Sequence, residues 1–401
     1  MIPQFQRYIT KWGLTVRQTI DLDGDRMTSL LQALGSPERS VPVIHIGGTN
    51  GKGSTGAFID ELLRAHGETV ALFTSPALID VHDQLRLNGR LVREEELDRA
   101  FEELVAVDVT AELTEFELLT VIAFLVIRAW NPTYAIIEVG LGGRDDSTNV
   151  VLPEVAILTS IALDHVAVLG STTEQIASVK AGIIKPSRPV VVGTLDEDAR
   201  RVVETVARMQ EAPSFFLGTD FTVETPLPET YRGEKTYTWS SRLLEGVHQA
   251  SNAAVALAAL EAIGYPLDAS RVTAAIERTT YAYRFEQVRE FVWLDGAHNE
   301  AAARALVASI EQKWPGHLID VAIGMLARKD IRAVVDVLRP VVSNWYCVDF
   351  DNEEAARGSD VQALIGPSAR VVTLDDMRAM IDAPRTTPLV MTGSLYLLAQ
   401  L

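Results

Sequence analysis

Cysteine is almost missing from this chain: Cys347 stands alone among 401 residues. No intramolecular disulfide and no thiolate metal cluster can form. The N-terminus, MIPQFQRYITKWG, also lacks the apolar core of a signal peptide, so the chain reads as a cytoplasmic protein of a reducing compartment. Basic residues are scarce, 36 Lys and Arg against 54 Asp and Glu for a formal net charge of −18, which argues against nucleic acid or an anionic membrane as partner. An anionic substrate is still allowed, because a local nest of amides and a lysine overrides a global charge. Long apolar runs are absent too. The most apolar window, LLTVIAFLVIRAW at 118–130, is too short to span a bilayer and reads as a buried helix. There is no internal repeat and no low-complexity tract.

What is present is a large apolar fraction, 47%, in a chain longer than one domain usually grows, so two domains are expected. Short β-branched runs alternate with helical patterns: VPVIHI (41–46), TVALFT (69–74), YAIIEV (134–139), VAILTS (155–160) and PVVVGT (189–194). Such alternation implies βαβ units and a parallel sheet covered on both faces. The turn-rich stretch 212–247 reads as a small antiparallel excursion, followed by an Ala-rich helix over 248–264. The alternation restarts after about residue 280. The expected fold class is therefore α/β, with an N-terminal domain over 1–280 and a smaller α/β domain over 281–401 joined near TTYAYR (279–284).

The first strand runs into VIHIGGTNGKGSTGAF, with five glycines between Gly47 and Gly56. Strand, glycine turn, lysine, hydroxyl and helix is the order that a phosphate-binding loop needs. Glycines let successive N–H groups face one concavity, and a helix N-terminus adds partial positive charge. Lys52 is placed to reach terminal phosphates, and Ser54 or Thr55 to face Mg²⁺. The common G-x-x-x-x-G-K-[ST] spacing is broken: Ile46 stands at its first glycine, Gly53 at its hydroxyl, and the hydroxyl comes one residue late at Ser54.

GGTNGKGST resembles the loop of the Mur ligase superfamily, and Gly53 is particular to its folylpolyglutamate synthase/dihydrofolate synthase branch. Further motifs follow in the family's order. LFTSPALID (72–80) is similar to its T-S-P segment, TEFELLTVIAFLVI (114–127) to its T-x-F-E-x-x-T helix, and AIIEVGLGGRDDSTNVV (135–151) to E-V-G-L-G-G-R-x-D-A-T-N. Asp164, His165 and the KAGIIK segment opening at Lys180 match a spaced pair, GVHQASNAA (246–254) matches G-x-H-Q-x-x-N-x-A, and VWLDGAHNEAA (292–302) matches D-G-A-H-N-P. The chain departs from the family at Ala77, Asp83, Gln84, Asp145, Val179, Ala282, Tyr283, Glu300 and Arg328.

The resemblance implies a P-loop-type parallel-sheet ATPase domain plus a smaller Rossmann-like C-terminal domain. It implies an ADP-forming ligase that joins L-glutamate to a folate or dihydropteroate carboxylate through an acyl phosphate. Gly48, Thr49, Asn50, Gly51, Lys52, Gly53, Ser54 and Thr55 would cradle ATP, with Asn252 near the adenine and Arg284, Asp295 and His298 contributed from the second domain. Ser54, Ser75, Glu138 and His165 would hold magnesium, two ions in all, and Lys180 would carry a carbamate. Lys52, His165 and Lys180 are thus the catalytic candidates, and Phe116, Glu117 and Asp146 would line the acceptor pocket. The family is usually monomeric, which implies a monomer. Read from position alone, Glu117 is a solvated helix-start glutamate, His165 a cap and Lys180 an exposed helix lysine. The rival activities are a Mur-type ligase for a cell-wall precursor and a nucleotide-binding protein that is no ligase. A dehydrogenase fails because Gly140-Leu141-Gly142 lacks the third fingerprint glycine.

Overall fold

The computed structural model describes residues 4–17, 24–107 and 113–401. Contacts divide the chain into two compact units. The first comprises 1–162, 167–241 and 251–279; the second comprises 163–166, 242–250 and 280–401.

The first unit is built on an eight-stranded sheet. Its strands are β1 (Val43–Gly47), β2 (Val70–Phe73), β3 (Leu85–Leu87), β4 (Arg90–Leu91), β5 (Tyr134–Glu138), β6 (Val155–Ser160), β7 (Val190–Thr194) and β8 (Ser214–Phe216). The order across the sheet is β8-β7-β6-β1-β5-β2-β3-β4. The β-branched runs make these strands because both faces are covered, and all five residues of β1 are buried. From β1 the chain goes first to one side, to β2 and back to β5, and then to the other side, to β6, β7 and β8. β1 thus sits at the switch point, where ligands of parallel α/β sheets bind outside the carboxyl ends.

Two sequence expectations change here. Ser214–Phe216 lies inside the supposed antiparallel excursion, yet pairs in parallel with β7 and extends the main sheet. Only β9 (Thr222–Glu224), β10 (Glu229–Arg232) and β11 (Thr236–Trp239) form the small antiparallel sheet. At the opposite edge, β3 and β4 turn antiparallel, which no periodicity over so few residues announces.

The window expected to be a buried helix is one, Glu115–Trp130, with every residue from Glu117 to Ile127 buried. Fully burying each of its Leu, Ile, Val and Phe side chains contributes about 1.5–3 kcal/mol, which outweighs the low helix propensity of the β-branched members. Among the described residues no helix is long and apolar enough to cross a membrane.

The second unit carries β12 (Glu286–Arg289), β13 (Val292–Leu294), β14 (Ile319–Ile323), β15 (Val342–Val348), β16 (Arg370–Val372) and β17 (Leu389–Thr392), in the order β12-β13-β17-β14-β15-β16. Only β12 is antiparallel to its neighbour. Helices Glu300–Lys313, Ile331–Leu338 and Gly358–Ile365 share one core with one face of this sheet, and Leu374–Asp382 packs into a second core.

Candidate active site

The glycine loop leaves the end of β1 between the ends of β5 and β6. The β6 end ties it down: Thr49 N donates to Ser160 O (2.7 Å), Asn50 N to Ser160 Oγ (3.0 Å), and Thr159 Oγ1 to Asn50 O (2.7 Å). Gly48 has φ 142°, and a Cβ there would lie 2.0 Å from Thr159 Oγ1, so only glycine fits. At Gly51, φ 89°, a Cβ would meet Asn252 Oδ1 at 2.6 Å, which brings Asn252 of the Gln249–Ala262 helix against the loop. Thr159 and Ser160 were not among the sequence candidates. Two adjacent hydroxyls ending a buried strand were the signal.

The helix Lys52–Ala65 begins at the loop. Lys52 Nζ lies 3.3 Å from Gly48 O and 3.7 Å from Glu138 Oε1. Lys180, 5% exposed, donates from Nζ to the same Gly48 carbonyl at 2.8 Å. The exposed-lysine reading of Lys180 is therefore wrong, because the residue ends a helix that packs inward. Two ammonium groups converging beside one buried carboxylate and a helix N-terminus make a site for a polyphosphate.

The residues also fit a divalent cation carried by that polyphosphate. Glu138 is buried at the carboxyl end of β5, and the buried Thr55 Oγ1 has no hydrogen-bond partner. No cluster of three or more His, Cys, Asp or Glu occurs among the described residues. Mg²⁺ does not ask for one, since it keeps waters and phosphate oxygens and takes one or two protein ligands. Ser54 lies buried in the same first turn, and Ser75 follows β2 at the same sheet edge.

Two altered positions near Ser75 have structural duties. Asp83 Oδ2 accepts from Leu78 N (3.0 Å) and Ile79 N (2.8 Å). Gln84 clamps Thr74, donating from Nε2 to its carbonyl (3.1 Å) and accepting from its N–H (2.8 Å).

Phe116 and Asp146 meet in the loop after β5, while Glu117, next to Phe116 in the helix, faces Thr114 and Arg26. A Cβ on Gly140 would lie 2.5 Å from Phe116 Cζ, so the ring rests on bare backbone. Glu117 is not solvated, and the positional reading is corrected. It is 1% exposed and shares a capping box with Thr114, with Thr114 N donating to Oε2 at 2.7 Å. Arg26 Nη2 donates to its Oε1 at 2.8 Å, which makes the burial of its charge affordable. Asp146 shapes the loop: Oδ2 accepts from Leu141 N (2.8 Å) and Oδ1 from Thr148 N (2.9 Å).

In the second unit, Asp164 is the hub. Lys329 Nζ donates to its Oδ1 (2.5 Å), Asn299 Nδ2 to its Oδ2 (3.0 Å), and His298 Nε2 lies 3.5 Å from Oδ2. Burial pushes this carboxyl up, but the hydrogen bond from His298, with Lys329 and His165, outweighs it and leaves the acid well below its usual range. His165 itself sits at φ 49°. Burial, then Lys329, pushes it down to about 4, so it is neutral at pH 7. Lys329 was missed: it sits in GMLARKD, and only the fold carries it to Asp164.

Asp295 accepts from Phe285 N and Ala297 N, both at 2.9 Å, and burial pushes it up to about 6 despite Arg284. Its carboxylate thus holds the turn that carries Arg284. A Cβ on Gly296 would lie 2.6 Å from Arg284 Nη1, so the guanidinium lies against that backbone.

Residues 46–260 match the Mur ligase middle domain, and 283–394 match the Mur ligase glutamate ligase domain. The dihydrofolate synthase/folylpolyglutamate synthase of Bacillus subtilis is 32% identical over 400 residues, covering 94% of this chain and 93% of that protein. Among solved structures, E. coli FolC in complex with DHPP and ADP superposes with a TM-score of 0.91 at 30% identity, covering 98% of this chain and 95% of that one. The bifunctional synthase of Yersinia pestis complexed with AMPPNP and Mn ion gives a TM-score of 0.89 at 29% identity, over 98% and 96%. This chain is a member of the folylpolyglutamate synthase/dihydrofolate synthase family of Mur ligases.

Proposed function

We propose that the chain is an ATP-dependent, ADP-forming ligase that joins L-glutamate to the carboxylate of dihydropteroate or a folate. The observation that carries this reading is the convergence of Lys52 and Lys180 on the Gly48 carbonyl beside Glu138, at the switch point of the sheet. An amine and a carboxylate in water form only a salt, so the carboxylate needs a leaving group. Its oxygen attacks the γ-phosphorus of ATP and ADP departs. The glutamate nitrogen then attacks the acyl carbon, phosphate leaves, and the amine proton goes to solvent.

Lys52 and the loop amides bind and orient the phosphates, and Lys180 holds the loop carbonyl in place. When bound, magnesium supplies charge neutralisation for the transferring phosphoryl group. Glu138, Ser54 and Ser75 are its candidate ligands, and His165 is the candidate ligand of a second ion. Phe116 and the Gly140–Asp146 loop take the acceptor. No side chain is required as a nucleophile, so catalysis rests on position and electrostatics.

Burial of Lys180 also supports a carbamate there, formed when the neutral amine adds to CO₂ and loses a proton; its N–H then keeps the hydrogen bond to Gly48 O, and Lys52 is left as the cation at the loop. Intact-mass measurement in bicarbonate should then show a gain of one CO₂ that Lys180→Arg abolishes; equal masses with and without bicarbonate would contradict it. We further place the protein in the cytoplasm as a monomer, where its substrates are small molecules only.

The test of the reading is the dependence of ADP release on substrates. ADP should form only when ATP, Mg²⁺, glutamate and a pterin-bearing acceptor are all present. Steady ADP release without an acceptor would favour a nucleotide hydrolase instead.

A further inference from the structure

His45 lies in β1, two residues before the glycine loop, and is fully buried. Its Nε2 is 2.9 Å from Thr148 Oγ1, and that hydroxyl donates to Asp146 Oδ1 at 2.5 Å. A hydroxyl has one proton. Burial pushes the Asp146 carboxyl up, but both of its oxygens face donors, Leu141 N on Oδ2 and Thr148 N with the Thr148 hydroxyl on Oδ1, an arrangement that holds the ionised form; Thr148 thus gives its proton to Asp146, and toward His45 its oxygen accepts. The proton between His45 and Thr148 must therefore sit on Nε2. A neutral ring then leaves Nδ1 bare, and Nδ1 is the buried His45 atom that has no hydrogen-bond partner.

Nothing nearby favours charging the ring. Burial pushes it down to about 3, and Lys185, whose Nζ donates to Asn149 O, adds to that effect. At the far end of the chain, Asp146 holds Leu141 N, and Leu141 follows the Gly140 backbone on which the Phe116 ring rests.

We propose that His45 is a positioning residue for the acceptor pocket. Fixed as the Nε2–H tautomer, it orients the Thr148 hydroxyl, Thr148 orients the Asp146 carboxylate, and Asp146 sets the Gly140–Asp146 loop beneath Phe116. The arrangement gives the strand that ends in the phosphate loop a rigid connection to the loop that meets the acceptor. The inference about the acceptor rests on the function proposed above; the tautomer does not.

Two readouts test it on the full chain. In ¹⁵N-histidine-labelled protein, with the His45 signal assigned by its loss in His45→Gln, His45 should show the Nε2–H tautomer from pH 5 to pH 8. Thr148→Val should perturb that signal and Thr148→Ser should keep it. In kinetics, Thr148→Val should raise the acceptor KM about tenfold, the loss expected when a buried carboxylate forfeits one hydrogen bond, while the ATP KM stays within about twofold. Thr148→Ser, and His45→Gln with its Nε2 donor, should stay near wild type.

An Nδ1–H signal for His45, seen in the wild-type protein and so independent of any variant's folding, would overturn the relay. Equal rises in both KM values for Thr148→Val would overturn its assignment to the acceptor. If the wild type consumes no ATP in response to an acceptor, the functional reading fails and the acceptor role with it, whereas the tautomer is still decided by the spectrum.

Discussion

Lys52 and Lys180 come from two helices and meet at the Gly48 carbonyl, Glu138 comes from a strand and lies 3.7 Å from Lys52, and each was legible in the sequence for a different reason. Lys52 follows a glycine turn that links a buried strand to a helix, and Glu138 ends an apolar run where a charge is expensive. Lys180 was legible only through resemblance, since a helix lysine is ordinarily solvated. Lys52→Ala should lower turnover by at least about 100-fold, because it removes a cation aimed at developing charge. The variant should still unfold cooperatively, and a folded variant with normal turnover would contradict the role.

Asp60 carries a second prediction at this scale. Burial pushes its carboxyl up to about 6 although Arg64 opposes the shift, and its Oδ1 has no hydrogen-bond partner. A raised acid pKa means that the folded state holds the proton more tightly. Stability from this group is therefore fully present below about pH 4 and is lost as pH rises through about 6. Asp60→Asn should gain about 3 kcal/mol relative to wild type between pH 4 and pH 7, read from urea unfolding at both. A wild-type-minus-variant difference that does not move with pH would contradict it.

Among elements, long periodic segments were readable and short ones were not. The Glu115–Trp130 helix and the five core strands follow from apolar runs long enough to set a period. Ser214–Phe216 has three residues, and its neighbours are turn-rich, so only its pairing with β7 reveals that it belongs to the parallel sheet. The Asp164–Lys329 pair is 165 residues apart, and no local pattern can announce such a contact. Asp83 and Gln84 were opaque for a related reason: their partners are the backbone of the turn after β2, which the sequence does not display.

The helix Gly24–Ala33 is joined to the Glu115–Trp130 helix through Arg26 and Glu117. Arg26→Leu leaves a 1%-exposed carboxylate without its cation and should cost about 3 kcal/mol, seen as a lower urea midpoint with an unchanged slope. A midpoint shift of under about 0.5 kcal/mol would show that the pair is replaceable by water.

At the scale of the whole molecule, the charge of −18 and the anion-binding loop are compatible because Lys52 and Lys180 meet the loop itself at the sheet edge. The match covers 93% of its Bacillus subtilis relative, and both Mur ligase domains are matched. The most direct measurement is the mass of the product made from dihydropteroate, or from tetrahydrofolate, with ATP, Mg²⁺ and glutamate. The account predicts an acceptor heavier by one glutamate residue for each ADP released, and no product from Lys52→Ala. ADP released while the acceptor keeps its mass would contradict it.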